Sequence, residues 1–89
     1  EQGIDLLSAF VKDRPQHTYG WYLLAEMHGL AGHIFEVHKS RANYFLLIGA
    51  YEKAEIQVRN ALRLATGKSE KARLEIMLDE VTQLKKAAG

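Results

Sequence analysis

The sequence predicts an all-α chain, a solenoid-type stack of about five antiparallel helices. Two observations carry that prediction. The first is the spacing Ala42-x-x-Phe45-x-x-x-Gly49-x-Tyr51-x-x-Ala54-x-x-x-Val58-x-x-Ala61. It puts small side chains where two helices cross, larger ones beside the crossing, and a glycine at the turn between them. The second is an absence: no sustained apolar–polar alternation and no Asn-Gly hairpin signal, so nothing reads as strand.

The first helix is expected from about Gln2 to Lys12, with Ile4, Leu7, Phe10 and Val11 on one face, and Pro15 stops it. The second runs from about Thr18 to Leu30; Trp21, Leu24, Ala25 and His28 follow the i, i+3, i+4, i+7 stripe of a half-buried helix. Gly32 is the better stop, because a helix C-terminus often takes a left-handed residue. The third helix is expected from about Ile34 to Ile48, ended by Gly49, and the fourth from about Tyr51 to Ala65, ended by Gly67. Ser69 reads as the N-cap of the fifth, with Glu70 in its first turn. That helix carries Leu74, Met77, Leu78, Val81 and Leu84 on one face, and Lys85 and Lys86 suit its negative end. The short connections force successive helices to be antiparallel neighbours.

Length and composition bound the rest. At 89 residues the chain is one domain's worth, with room for a single modest core. Apolar residues at 47% and charged residues at 26% exclude a disordered chain. The net charge of +1, with four basic and five acidic residues before Phe45 and eight and six after it, makes no basic stripe, so nucleic acid is not an expected partner. There is no cysteine, which removes disulfides, thiolate metal sites and thiol catalysis. No apolar run approaches the roughly 18 residues a membrane span needs, so membrane insertion is not expected. The chain begins at Glu1 rather than Met and is expected to be an excised C-terminal portion of something longer.

The repeat positions Trp21, Leu24, Ala25, Ala42, Phe45, Gly49, Tyr51, Ala54, Val58 and Ala61 resemble those of a tetratricopeptide (TPR) unit. On that resemblance residues 1–89 form one TPR-like domain. Residues 1–14 are the closing helix of a truncated repeat, 17–66 the TPR-like core and 69–88 a capping helix.

A closer resemblance covers about residues 17 to 86. Trp21-Tyr-Leu-Leu-Ala-Glu-Met-His-Gly-Leu-Ala-Gly32, His38-Lys-Ser-Arg-Ala-Asn-Tyr-Phe-Leu-Leu-Ile-Gly49-Ala-Tyr-Glu-Lys-Ala54 and Ala61-Leu-Arg-Leu-Ala65 are similar to the C-terminal TPR region of bacterial zinc metallopeptidases of the β-barrel assembly-enhancing protease family. Arg73 corresponds to one of the regularly spaced arginines of that family's final helix. Asn43 for the usual Glu, and Lys39-Ser40-Arg41 for a more apolar stretch, depart from it. The resemblance implies a periplasmic parent in a Gram-negative bacterium. It would be docked by this part to outer-membrane assembly machinery or to unfolded barrel substrates. The zinc would lie in the parent's protease domain.

Chemistry within these residues is thin. No H-E-x-x-H occurs. The nearest imitation, His33-x-x-Glu36-x-His38, spaces its histidines about 500° round a helix, so they diverge by roughly 140° and no metal site is expected. His33 reads as a loop residue, His38 as a surface or interhelical one, and His28 as a hydrogen-bonded packing residue. Ser8, Ser40 and Ser69 have no adjacent base, and Asp79 and Glu80 point in different directions, so no catalytic residues and no cofactor are expected in this fragment.

Function is therefore sought on a surface that takes a protein or peptide partner. The expected groove residues are Tyr22, Glu26, Lys39 and Asn43. Trp21 occupies a packing position, whereas Tyr22 falls just off that stripe. Lys39 and Asn43 lie one turn apart and resemble the Lys/Asn pair by which some TPR units grip a peptide carboxylate. The companion basic residue is missing, because Leu74 stands where it would lie. Glu52, Glu55, Arg59 and Arg63 read as a solvated outer face with a Glu55–Arg59 pair. The parent's own protease domain is an alternative partner. So is a second copy of the chain, meeting an apolar patch of Ile4, Phe10 and Val11 left open on the first helix. A generic TPR adaptor unrelated to proteolysis is the broader alternative.

Overall fold

The apolar periods fold as five helices in the computed structural model, which describes residues 2–89. They are α1 (Gln2–Asp13), α2 (Thr18–Ala31), α3 (Ile34–Leu47), α4 (Tyr51–Leu64) and α5 (Lys68–Ala88). No strand occurs among the described residues. Extensive contacts join only sequence neighbours: α1 with α2, α2 with α3, α3 with α4 and α4 with α5. That is the contact order of a helical stack in which each helix sees the one before and the one after.

The turns follow local chemistry. α1 ends at Asp13, two residues before Pro15. Gly32 and Gly49 close α2 and α3 in the left-handed conformation, each at φ 78°, where a Cβ would be strained. The α1–α2 corner is held by two bonds. The His17 Nδ1 accepts from the Gly20 N–H at 3.0 Å and so caps α2. The Trp21 Nε1–H donates to the Pro15 carbonyl at 2.8 Å.

Two expected boundaries are corrected. α4 stops at Leu64, its last turn closed by Ala65 in extended conformation, and Gly67 instead precedes α5. Gly67 is itself extended (φ −89°, ψ 146°) and its carbonyl accepts from the Lys71 N–H at 3.0 Å, so Ser69 lies inside the helix and caps nothing.

Most buried apolar residues form two clusters rather than the single core expected from length, and Ala25 of α2 and Val37 of α3 lie outside both. The larger joins α3, α4 and α5 through Ala42, Ala54, Val58, Ala61, Ala65, Leu74 and Val81, with Phe45 and Tyr51 packed beside them. Ala42, Ala54, Val58 and Ala61 have no solvent exposure at all, as their repeat positions require. The smaller joins α1 and α2 through Ile4, Val11 and Leu24, flanked by Leu7, Phe10, Trp21 and Met27. Ile4 and Val11 are therefore covered by α2, and the open apolar patch expected on the first helix does not exist. The two helices come close at Gly20, where a Cβ would lie 2.9 Å from Val11 Cγ1 and 3.3 Å from Phe10 Cε2. A stack divides its core in this way because each pair of adjacent helices buries its own seam.

The contrast between the two turn glycines is testable. Gly49→Ala is expected to lose about 1–2 kcal/mol in urea unfolding, because a Cβ strains the left-handed turn. Gly67→Ala, at an allowed φ and with open space around it, is expected to be neutral or to gain up to about 1 kcal/mol by restricting the unfolded chain.

Candidate functional site

Two depressions flank the α2–α3 contact, on different arcs of both helices. The first is a cleft of about 240 Å³ walled by α1 (Ser8, Val11, Lys12), α2 (Trp21, Leu24, His28) and α3 (Glu36, Lys39, Ser40, Asn43). Its apolar side comes from Val11, Trp21 and Leu24, the same residues that seal the α1–α2 seam. Trp21 is only half-buried, so it both packs and lines the cleft.

The polar side of this cleft is unusual in its burial. His28 is 6% and Ser40 3% exposed. The His28 Nδ1 meets the Nδ1 of His33 at 3.1 Å, one ring donating and the other accepting, which ties the end of α2 to the start of α3. Its Nε2 and the Ser40 hydroxyl have no hydrogen-bond partner among the described residues, yet no buried polar atom among those residues is sealed without one. Both groups therefore keep contact with solvent, and the cleft they line is the way to it. Burial pushes the His28 imidazole below the usual histidine range; Glu36 opposes this, while His33 and Lys39 reinforce it.

The expected groove residues divide between the two sides. Lys39 and Asn43 line this cleft, but their donors are engaged. The Lys39 Nζ pairs with Glu70 of α5 at 2.9 Å and with Glu36 at 3.7 Å, and the Asn43 Nδ2 donates to the Lys39 carbonyl at 3.0 Å. With Leu74 buried at 3% exposure, no free cation–amide pair remains for a carboxylate clamp. The other cation here is Lys12, which makes no ion pair among the described residues; sequence reasoning missed it because it sits on the neighbouring helix.

Tyr22 and Glu26 lie on the other side, in a slot of about 130 Å³ with Ala25, Arg41, Tyr44 and Phe45. The Tyr22 ring stacks on Tyr19 at 6.0 Å and meets Tyr44 at 5.6 Å; Tyr44 in turn meets Phe45 at 5.4 Å. The four expected groove residues therefore do not share a groove. One residue of offset on a helix rotates a side chain by about 100°, enough to move it across the seam.

Elsewhere the ionic groups are structural. Glu55 takes Arg59 at 2.8 Å, as its spacing predicts, and also Lys85 of α5 at 2.8 Å, so this face ties two helices together rather than only facing solvent. The hydrogen bond from Lys85, then that from Arg59, holds the Glu55 carboxyl below its usual range, and Glu55 raises Lys85. The His38 Nδ1 meets the Gln57 Oε1 at 2.7 Å, an α3–α4 contact that leaves it pointing away from His33. No group of three metal-ligating side chains gathers among the described residues. Although Ser40 and His28 share a cleft, they are not hydrogen-bonded to each other. The His28 Nδ1 faces another imidazole rather than an orienting carboxylate, so the arrangement lacks the relay of a serine nucleophile.

Comparison of the chain with protein-family models, with curated proteins and with solved structures finds no match.

Burial of neutral His28 gives stability a pH dependence of definite sign. The folded state binds His28's proton less readily than the unfolded chain, whose histidines titrate near about 6.5. This contribution is therefore whole above that pH and is lost as pH falls from there through the folded pKa. The melting temperature is expected to drop between about pH 7 and pH 5.5, and His28→Leu is expected to flatten that slope. A variant with the same slope as the parent would assign the dependence to another group.

Proposed function

We propose that this chain is a protein-interaction domain that docks an extended segment of a partner in the cleft between α1, α2 and α3. The observation that carries the reading is the pair His28 and Ser40. Two nearly buried polar side chains line one cleft with hydrogen-bonding capacity left over. Solvent reaches them through the cleft, and an incoming backbone amide or carbonyl would replace that water. The wall of Val11, Trp21 and Leu24 suits an apolar side chain of the same segment, and Lys12 suits an acidic neighbour.

The identity of the parent is a further part of the proposal and rests on the resemblance of the Trp21–Gly32, His38–Ala54 and Ala61–Ala65 stretches alone. On it, the chain is the non-catalytic TPR arm of a periplasmic zinc metallopeptidase. Its partner is then the outer-membrane assembly machinery, an unfolded barrel substrate or the parent's own protease domain. A signal peptide and an H-E-x-x-H helix encoded upstream would support this; the absence of both would leave a TPR adaptor of another pathway.

Docking is tested by selecting a displayed random-peptide library against the whole chain. Enriched peptides are expected to shift the fluorescence of Trp21, the chain's single tryptophan. They are expected to lose about tenfold in affinity with Lys12→Glu while helicity stays unchanged. Peptides that bind without perturbing Trp21, or that ignore Lys12→Glu, would move the site elsewhere. Lys39 is the poorer probe, since its reversal to Glu would face Glu70 and Glu36 and disturb the stack.

A further inference from the structure

The side of the α2–α3 seam away from the cleft carries an aromatic surface that the docking proposal does not use. Tyr19 and Tyr22 stack at 6.0 Å and Tyr44 tilts against Tyr22 at 5.6 Å, forming a row across α2 and α3 in which Tyr19 is 61% and Tyr22 44% exposed. A shallow hollow bounded by Thr18, Tyr19, Tyr22 and Tyr44 shares two of these rings with the narrow slot beside Glu26 and Arg41. Among the described residues none of the three phenol hydroxyls makes a hydrogen bond, and neither Glu26 nor Arg41 has an ion-pair partner, although both are exposed at the slot. The surface thus presents partly exposed rings, three hydroxyl donors without a partner among the described residues, and one acid and one base outside any ion pair.

We propose that this face binds a proline-rich segment in the polyproline II conformation, carrying a basic residue that meets Glu26. Three modes of peptide recognition compete, and two fit poorly. A helix docks by laying an apolar stripe into an apolar groove, whereas this face is lined by three phenol rings and two charged side chains. Strand addition needs a sheet edge, and the described residues contain no strand.

A polyproline II segment fits both features that remain. It has no internal hydrogen bonds, so its carbonyls are free to accept from the tyrosine hydroxyls. Its rings pack on aromatic faces, and its stiffness lowers the entropy lost on binding. The charge follows from the rings. A cation beside Tyr22 and Tyr44 gains from their negative faces as well as from Glu26, whereas an anion beside Arg41 would face the same rings unfavourably. Arg41 is then a donor to a ligand carbonyl. The site is separate from the α1–α2–α3 cleft, and either can fail without the other.

The test is an NMR titration of the isotope-labelled whole chain with three peptides of one length. They are an oligoproline flanked by arginine, the same oligoproline flanked by aspartate, and a Gly/Ser peptide flanked by arginine. The arginine-flanked oligoproline is expected to saturate below about 1 mM, shifting the ring signals of Tyr19, Tyr22 and Tyr44. Tyr22→Phe, which removes one hydroxyl and keeps the ring, is expected to weaken it by about three- to tenfold. Glu26→Lys, at an exposed position, is expected to abolish the preference for arginine over aspartate flanks. Failure to saturate, equal binding of the Gly/Ser peptide, or shifts centred on Trp21 and Asn43 would overturn the proposal.

Discussion

The structure depends on how closely consecutive helices can approach. Ala42, Ala54, Val58 and Ala61 sit at the α3–α4 crossing with no exposure, and Gly20 does the same for α2 against α1, where even a methyl group would collide with Val11. Close approach lets the backbones stack, and the larger residues, Phe45, Tyr51, Phe10 and Trp21, fill the edges of each seam. Because every seam is built from its own two helices, burial is spread along the stack in two clusters, and the flanks of each seam stay open. The two depressions beside α2–α3 are those flanks.

Ionic contacts act on top of that packing. Lys39 reaches from α3 to Glu70 of α5, skipping α4, and Lys85 reaches from α5 to Glu55 of α4. Both tie the long last helix to the stack, whose buried contribution from that helix is only Leu74 and Val81. Exposed pairs of this kind add little stability each. Their stronger effect is on availability: they remove Lys39 from the set of free cations and leave Lys12 in it. Charge that looks ready for a ligand in the sequence is already spent in the fold.

What remains unspent defines the surfaces that can act. The cleft keeps two nearly buried polar groups, His28 and Ser40, with an apolar wall opposite. The other flank keeps three tyrosine hydroxyls and an unpaired acid and base. Water serves the polar groups in both depressions, and a partner's backbone and side chains can take its place there while covering the exposed aromatic area. One short helix pair thus offers two chemically different faces.

Much of the fold was legible. The apolar stripes located all five helices, the two left-handed glycines were placed at Gly32 and Gly49, and of the repeat positions Leu24, Ala25, Ala42, Ala54, Val58 and Ala61 are buried, while Trp21, Phe45 and Tyr51 are half-buried. His28 was readable as a hydrogen-bonded packing residue because it lies on its helix's apolar stripe. What was missed has two sources. His17 as a cap and Gly67 as a helix start are local, set by bonds to Gly20 and Lys71 of the helix each one opens. Glu55 bonded to Lys85, and the separation of Tyr22 and Glu26 from Lys39 and Asn43, turn on what a residue meets from another element. Periodicity fixes the face of a helix on which a side chain sits, since 3.6 residues make a turn whatever the surroundings. By itself the sequence therefore determined the helices, their order and their buried stripes. Only the packing of one helix against the next decided which flank each polar residue faced and which charges were already paired, because those depend on distances across seams that no single helix contains.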